Sequence, residues 1–224
     1  MAAVADRLSA TERTRLKFCG LTRAADVDAA VRIGADAIGF NCYEKSPRFV
    51  APDQLALLAA ILPAYVTPVL LFVNATDEEV RRALERIPHA LLQLHGNESP
   101  QQCRALNRPY VRGLPVDREC DWSAAEAEFG DAAALLADAP APGFGGSGQR
   151  FDWRRLPAAA ARRLPLVLAG GLTAANVREA IATVRPYAVD VSSGIEDAPG
   201  VKSERKMREF ASAVFASNAT LART

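Results

Sequence analysis

Two side chains, each closing a short apolar run, have the types needed for paired proton chemistry. One is the thiol of Cys19, in Lys17-Phe18-Cys19-Gly20-Leu21-Thr22-Arg23, and the other is the carboxyl of Asp138, in Leu135-Leu136-Ala137-Asp138. A thiol and a carboxyl facing each other across a pocket supply a base and an acid, which move protons without a metal or redox cofactor. Three further polar residues hold comparable places. Arg48 follows a rigidifying proline in Ser46-Pro47-Arg48, where a guanidinium can grip a substrate carboxylate through two parallel N–H bonds. A solvated surface arginine fits the same position. His95 ends an apolar run and either lines a pocket or caps the next helix. Asp190 sits inside Val189-Asp190-Val191-Ser192, and a buried carboxylate needs a partner, so it either binds sugar hydroxyls or orients a neighbour.

Three small-residue loops point to a phosphate. They are Gly145-Gly146-Ser147-Gly148, Gly170-Gly171 and Ser192-Ser193-Gly194, each after a late apolar run. Glycine and serine let several backbone N–H groups converge on an anion without side-chain bulk. One such loop is an ordinary tight turn. Three in succession make a cradle. No G-x-x-x-x-G-K-[ST] pattern occurs, and Gly143 to Gly148 opens no helix as a dinucleotide fingerprint should, so neither ATP nor NAD is expected.

The elements that must carry these groups alternate. Eight apolar or β-branched runs read as strands, at 15–19, 37–40, 66–73, 90–94, 110–114, 133–137, 166–169 and 188–191. Between them lie segments of 3.6-residue periodicity, such as 26–33 and 77–87. Thr22, Thr76, Ser99 and Thr173 sit where helix N-caps belong, and Pro52 near a helix start. Continuous apolar strands separated by helices imply a parallel sheet. Eight repeats without a linker favour a single closed (β/α)8 TIM barrel of the α/β class over an open doubly wound sheet. In a barrel the reactive groups gather at the carboxyl ends of strands, where Cys19, Arg48, His95, Asp138 and Asp190 all fall. Cys103 and Cys120 do not, and read as buried hydrophobes.

Composition narrows the class of function. The 224 residues carry a net charge of +1, and half of them are apolar. No global field favours nucleic acid or an anionic membrane, and no run approaches the roughly 20 apolar residues that cross a bilayer. Residues 1–14 contain no apolar block, so a signal peptide is not expected. They read as a disordered or loosely helical extension ahead of a catalytic domain over 15–224, and a cytoplasmic location follows. Four cysteines without a C-x-x-C pair and two histidines argue against a zinc site or a disulfide framework.

The order and wording of the motifs resemble one family. Lys17-Phe18-Cys19-Gly20-Leu21-Thr22, Gly34-Ala35-Asp36-Ala37-Ile38-Gly39-Phe40, Ser46-Pro47-Arg48-Phe49-Val50 and Gln93-Leu94-His95-Gly96 resemble phosphoribosylanthranilate isomerase. So do Gly145-Gly146-Ser147-Gly148 with Phe151-Asp152-Trp153, Leu168-Ala169-Gly170-Gly171-Leu172 and Val189-Asp190-Val191-Ser192-Ser193-Gly194-Ile195-Glu196. The resemblance implies an Amadori rearrangement of N-(5-phosphoribosyl)anthranilate in tryptophan biosynthesis. It implies Cys19 as general base, Asp138 as general acid, Arg48 facing the anthranilate moiety and the glycine loops at the phosphate. No cofactor is expected, the expected partner is the phosphosugar-anthranilate substrate with neither nucleic acid nor membrane, and both a monomer and a homodimer fit.

A thiol acting as base is expected to have a pKa below its usual value of about 8.5. Lys17 shares the inward face one layer deeper and is not the expected cause of such a shift. Two positions depart from the family pattern: Ala137 stands where a bulkier apolar residue is usual, and Arg112 where lysine often is. The alternatives are other phosphate-binding barrels or a non-catalytic binding barrel. An indole-glycerol-phosphate synthase would carry further lysine and glutamate groups at strand ends, and a ribulose-phosphate epimerase would carry metal-binding His and Asp. A binding barrel would not need to keep both Cys19 and Asp138.

Overall fold

A computed structural model describes residues 13–140 and 150–221. Eight parallel strands close into a barrel in chain order: β1 Arg15–Cys19, β2 Ala37–Asn41, β3 Thr67–Phe72, β4 Leu91–Leu94, β5 Tyr110–Pro115, β6 Ala134–Asp138, β7 Leu166–Leu168 and β8 Ala188–Val191. Closure is made by β1 lying against β8, with Lys17 opposite Asp190 and Phe18 opposite Val191. The expected strands match to within a residue or two at each end.

The pleat sorts each strand into two faces, because successive side chains point in opposite directions. Leu16 and Phe18, Ile38 and Phe40, Leu70 and Phe72, and Leu135 and Ala137 join the core between sheet and helices. The alternate positions Val111, Ala134, Leu136, Val167, Ala169 and Ala188 form a separate cluster inside the barrel. Near the upper mouth Cys19, Leu71 and Val73 form a third. The strands are therefore apolar on both faces.

The outer layer consists of α1 Ala24–Ile33, α2 Pro52–Ala59, α3 Asp77–Arg86, α4 Pro100–Ala105, α5 Trp122–Glu128, α6 Val177–Val184 and α7 Glu204–Leu221. Thr76 and Ser99 each close a capping box, with Glu79 and Gln102 reaching back to the cap N–H, and Pro52 occupies the first turn of α2. Thr22 does not cap α1. The cap position belongs to Arg23, and the Thr22 hydroxyl instead donates to the Gly200 carbonyl. Thr173 precedes its helix by too much. Asn176 stands at the cap of α6 and its amide oxygen accepts from the Thr173 N–H.

Two further differences bear on the site. Among the described residues, β6 and β7 are joined by two 3-10 turns, Trp153–Arg155 and Ala159–Ala161, where regular alternation predicts a helix. After β8 comes a two-stranded hairpin, β9 Glu196–Ala198 and β10 Val201–Lys202, which the strand pattern does not show. At the other end, Thr14 is no loose extension. It is 3% exposed, and its N–H donates to the Asn218 side chain while Arg13 pairs with Asp36. Residues 1–12 of the expected extension lie outside the described residues.

Candidate active site

The carboxyl ends of the strands open onto a cavity of about 370 Å³, a size that suits a small molecule. Cys19, Arg48, His95, Asp138 and Asp190 all line it. So do Gly170, Gly171, Ser192, Ser193 and Gly194. Of the expected site residues, only Gly145, Gly146, Ser147 and Gly148 lie outside the described residues. Cys103 is packed in the main core. Cys42 does not reach the cavity, and burial pushes its thiol up to about 12.

Cys19 ends β1, 7% exposed, over a space left by Gly39 on β2. A Cβ at Gly39 would sit 2.7 Å from the Cys19 sulfur and 3.2 Å from Lys17 Cε. The glycine thus lets the lysine stem and the thiol meet. Lys17 Nζ donates to Asp190 Oδ2 at 2.6 Å across the β1–β8 seam, and both side chains are buried. Burial works to lower the Lys17 ammonium, but Asp190 and Cys19 together outweigh it and hold the group above its ordinary value.

Burial pushes the Cys19 thiol up from its ordinary value, against the sequence-based expectation of a lowered one. Lys17 is the first group that opposes this rise, and Lys202 adds to it. The lysine set aside from the sequence is therefore the main charge favouring the thiolate. Its effect comes from the bend of the side chain over Gly39, which strand spacing does not reveal.

Asp138 ends β6 and is held from two sides. The Ala139 N–H donates to Oδ1 at 2.8 Å, and His95 Nε2 lies 3.1 Å from Oδ2. His95 therefore faces the carboxyl, and it caps no helix. A third group behind it, Gln93, is 2% exposed and places its amide nitrogen 3.3 Å from His95 Nδ1.

Arg48 is no solvated surface residue. Its Nε and Nη2 each donate to Glu196 at 2.7 Å, a two-bond fork with side chains only 12% and 5% exposed. Glu196 also accepts from Lys202 Nζ at 2.7 Å, and that ammonium donates to the Ser192 carbonyl as well. Burial works to raise the Glu196 carboxyl, but the Arg48 and Lys202 bonds outweigh it and hold the group below its ordinary range. Burial lowers the Lys202 ammonium in spite of Glu196. This hairpin network was missed from sequence. Its one signal was Glu196 directly after Ser192-Ser193-Gly194-Ile195.

The glycine-rich side of the cavity is built from backbone. Gly170 and Gly171 have φ of +80° and +61°, a region that glycine enters without strain. A Cβ at Gly170 would lie 2.5 Å from the Ala139 nitrogen and 3.0 Å from Asp138 Oδ1. At Gly194 it would run into the Leu172 carbonyl. These loops therefore approach Asp138 and each other too closely to leave room for a side chain at either glycine.

Fold and cavity together define the class: a (β/α)8 barrel whose upper mouth pairs a buried thiol with a hydrogen-bonded carboxyl beside glycine-rich loops. The family model for N-(5'-phosphoribosyl)anthranilate isomerase matches residues 16–213, and the chain belongs to that family. An N-(5'-phosphoribosyl)anthranilate isomerase of Methylibium petroleiphilum is 50% identical over 210 residues, 94% of this chain and 98% of the relative. The crystal structure of the isomerase from Thermus thermophilus superposes with a TM-score of 0.82 at 34% identity, covering 91% of this chain and 99% of that one. Another isomerase structure, 32% identical with a TM-score of 0.76 and coverages of 91% and 99%, holds reduced 1-(o-carboxyphenylamino)-1-deoxyribulose 5-phosphate. No described helix is long and apolar enough to cross a membrane.

Proposed function

We propose that this chain converts N-(5-phosphoribosyl)anthranilate to 1-(2-carboxyphenylamino)-1-deoxyribulose 5-phosphate, with Asp138 as general acid and Cys19 as general base. The observation that carries the reading is the shared cavity. The only described cysteine on its wall and the carboxyl that ends β6 line it together, next to Gly170-Gly171 and Ser192-Ser193-Gly194.

Asp138 gives its proton to the ribose ring oxygen as the bond from that oxygen to C1′ breaks, and the anilinic nitrogen lone pair forms the Schiff base. Cys19, as thiolate, takes the C2′ proton and leaves an enolamine. Tautomerisation delivers a proton to C1′ and removes one from the C2′ hydroxyl, so both groups return to their starting protonation states. Arg48 retains N–H donors beyond the two given to Glu196, and these suit the anthranilate carboxylate. Asp190 Oδ1 has no partner among the described residues, an acceptor suited to a sugar hydroxyl. The backbone of the glycine and serine loops, with Gly145, Gly146, Ser147 and Gly148, suits the phosphate. On this reading the enzyme works in the cytoplasm, as a monomer or homodimer, with this small molecule and neither nucleic acid nor membrane as its partner.

The test is the loss of anthranilate fluorescence on freshly generated substrate. Cys19→Ala and Asp138→Asn should each lower turnover by about a hundredfold or more. Unchanged turnover in purified, folded variants removes these roles.

A further inference from the structure

Asp138 has to present one oxygen to the sugar ring in a fixed direction, and the structure shows what fixes it. Its partner His95 leaves the end of β4 and lies across the neighbouring strand β5. That path exists because residue 113 is glycine. A Cβ there would stand 2.8 Å from His95 Cγ and 2.9 Å from Cε1, and closer still to Nδ1. Any side chain on the inner face of β5 at this point would push the imidazole away from β6.

Behind the ring, Gln93 occupies the preceding inward position of β4, two residues back, as the pleat requires. Its amide nitrogen faces Nδ1. An amide N–H can only donate, so Nδ1 accepts and the ring proton of the neutral imidazole resides on Nε2. This assignment rests on the Gln93 amide presenting its nitrogen, not its oxygen, to Nδ1. Nε2 then donates to Asp138 Oδ2, while the Ala139 N–H holds Oδ1. Two donors at two oxygens fix the plane of the carboxyl.

The backbone that bears His95 is clamped as well. Arg112, from the outer face of β5, donates to the Leu94 and Gly96 carbonyls and to Glu98. Glu98 in turn accepts from the Gly96 N–H. The arginine that departs from the family pattern thus braces both sides of His95.

We propose that Gln93 and His95 are a positioning pair for Asp138: Gln93 sets the imidazole tautomer, and His95, in the slot cleared by Gly113, aims the carboxyl at the ring oxygen. This rests on the acid role given to Asp138 above and deepens it. His95 acts through Asp138, with substrate binding left to other groups.

The test combines kinetics with a measurement that needs no substrate. The chain has two histidines, His89 and His95, so long-range 1H–15N spectra with a His95→Gln control assign each ring. At pH 8 the wild type should show His95 protonated at Nε2, and Gln93→Leu should lose this preference. His95→Leu should lower kcat by about tenfold to a hundredfold with KM changed less than twofold, as misplacement of a reacting group does. His95→Gln, which keeps an amide donor at similar reach, should recover part of the loss. Gly113→Ala should match His95→Leu in kcat while His95 loses its Nε2 preference.

A proton on Nδ1 in the wild type overturns the proposal, and so does a His95→Leu variant with raised KM and unchanged kcat. If Asp138→Asn turns over normally, the acid role fails. The tautomer measurement still stands in that case and separates the two failures.

Discussion

The two halves of the pocket are held by different means. On the β1–β8 side, Cys19 is surrounded by charge: Lys17 paired with Asp190, and Lys202 shared between Glu196 and Ser192. On the β4–β6 side, Asp138 is held by an imidazole, a backbone N–H and, behind them, a neutral amide. The difference fits the roles proposed for the two groups. A buried thiol resists ionisation, and nearby positive charge, with hydrogen bonds from it, counters the lost solvation. A carboxyl that delivers a proton to one atom needs direction, which hydrogen bonds with fixed geometry supply. One half is tuned in energy and the other in angle.

The largest effect is expected at the charged half. Lys17→Met should destabilise the barrel by about 3–5 kcal/mol, because it leaves Asp190 buried without its partner. Lys17→Met with Asp190→Leu should recover much of that in urea unfolding. A single variant as stable as the wild type would show that the pair does not bear on stability.

The next effect concerns reactivity. Burial raises the Cys19 thiol and Lys17 opposes this, so alkylation by iodoacetamide should speed up about tenfold per pH unit while the thiol remains mostly protonated. Lys17→Met should slow it at every pH in that range. Equal rates in both proteins would remove Lys17 as a tuning group.

Glu196 gives a smaller effect with a definite sign. Its folded carboxyl is held below the ordinary 4.5, so its stabilisation is present above that value and fades as pH falls through the folded one. The stability gap between wild type and Glu196→Gln, about 1–3 kcal/mol at pH 7, should shrink steadily below pH 4.5. A gap that widens in acid would contradict the assignment.

The smallest effect is expected on the Asp138 side. Arg112→Lys keeps the charge but loses the fork to Leu94 and Gly96, at about 1 kcal/mol. Turnover should fall only as far as His95 shifts. A loss equal to that of His95→Leu would make the clamp as important as the imidazole.

Much of this was open to reading in the chain itself. Eight β-branched or apolar runs, spaced by amphipathic segments, leave a barrel as the simplest way to bury strands that are apolar on both faces. The rule that loops after strands face one mouth then collects Cys19, Arg48, His95, Asp138 and Asp190 before any coordinates exist. Thr76 and Ser99 announce their helices, because a capping box is satisfied within four residues.

What stayed hidden is long-range. Lys17 and Asp190 are 173 residues apart, Arg48 and Glu196 are 148 apart, and His95 and Asp138 are 43 apart. Lys17 meets Asp190 only once β8 has closed on β1, Arg48 meets Glu196 only once the hairpin after β8 has formed, and His95 meets Asp138 only once β4, β5 and β6 have aligned. The alternation of residue types along the chain therefore determined which side chains point into the pocket. Tertiary closure alone decided which of them touch, since contact depends on register across the seam and on the absence of a Cβ at Gly39 and Gly113.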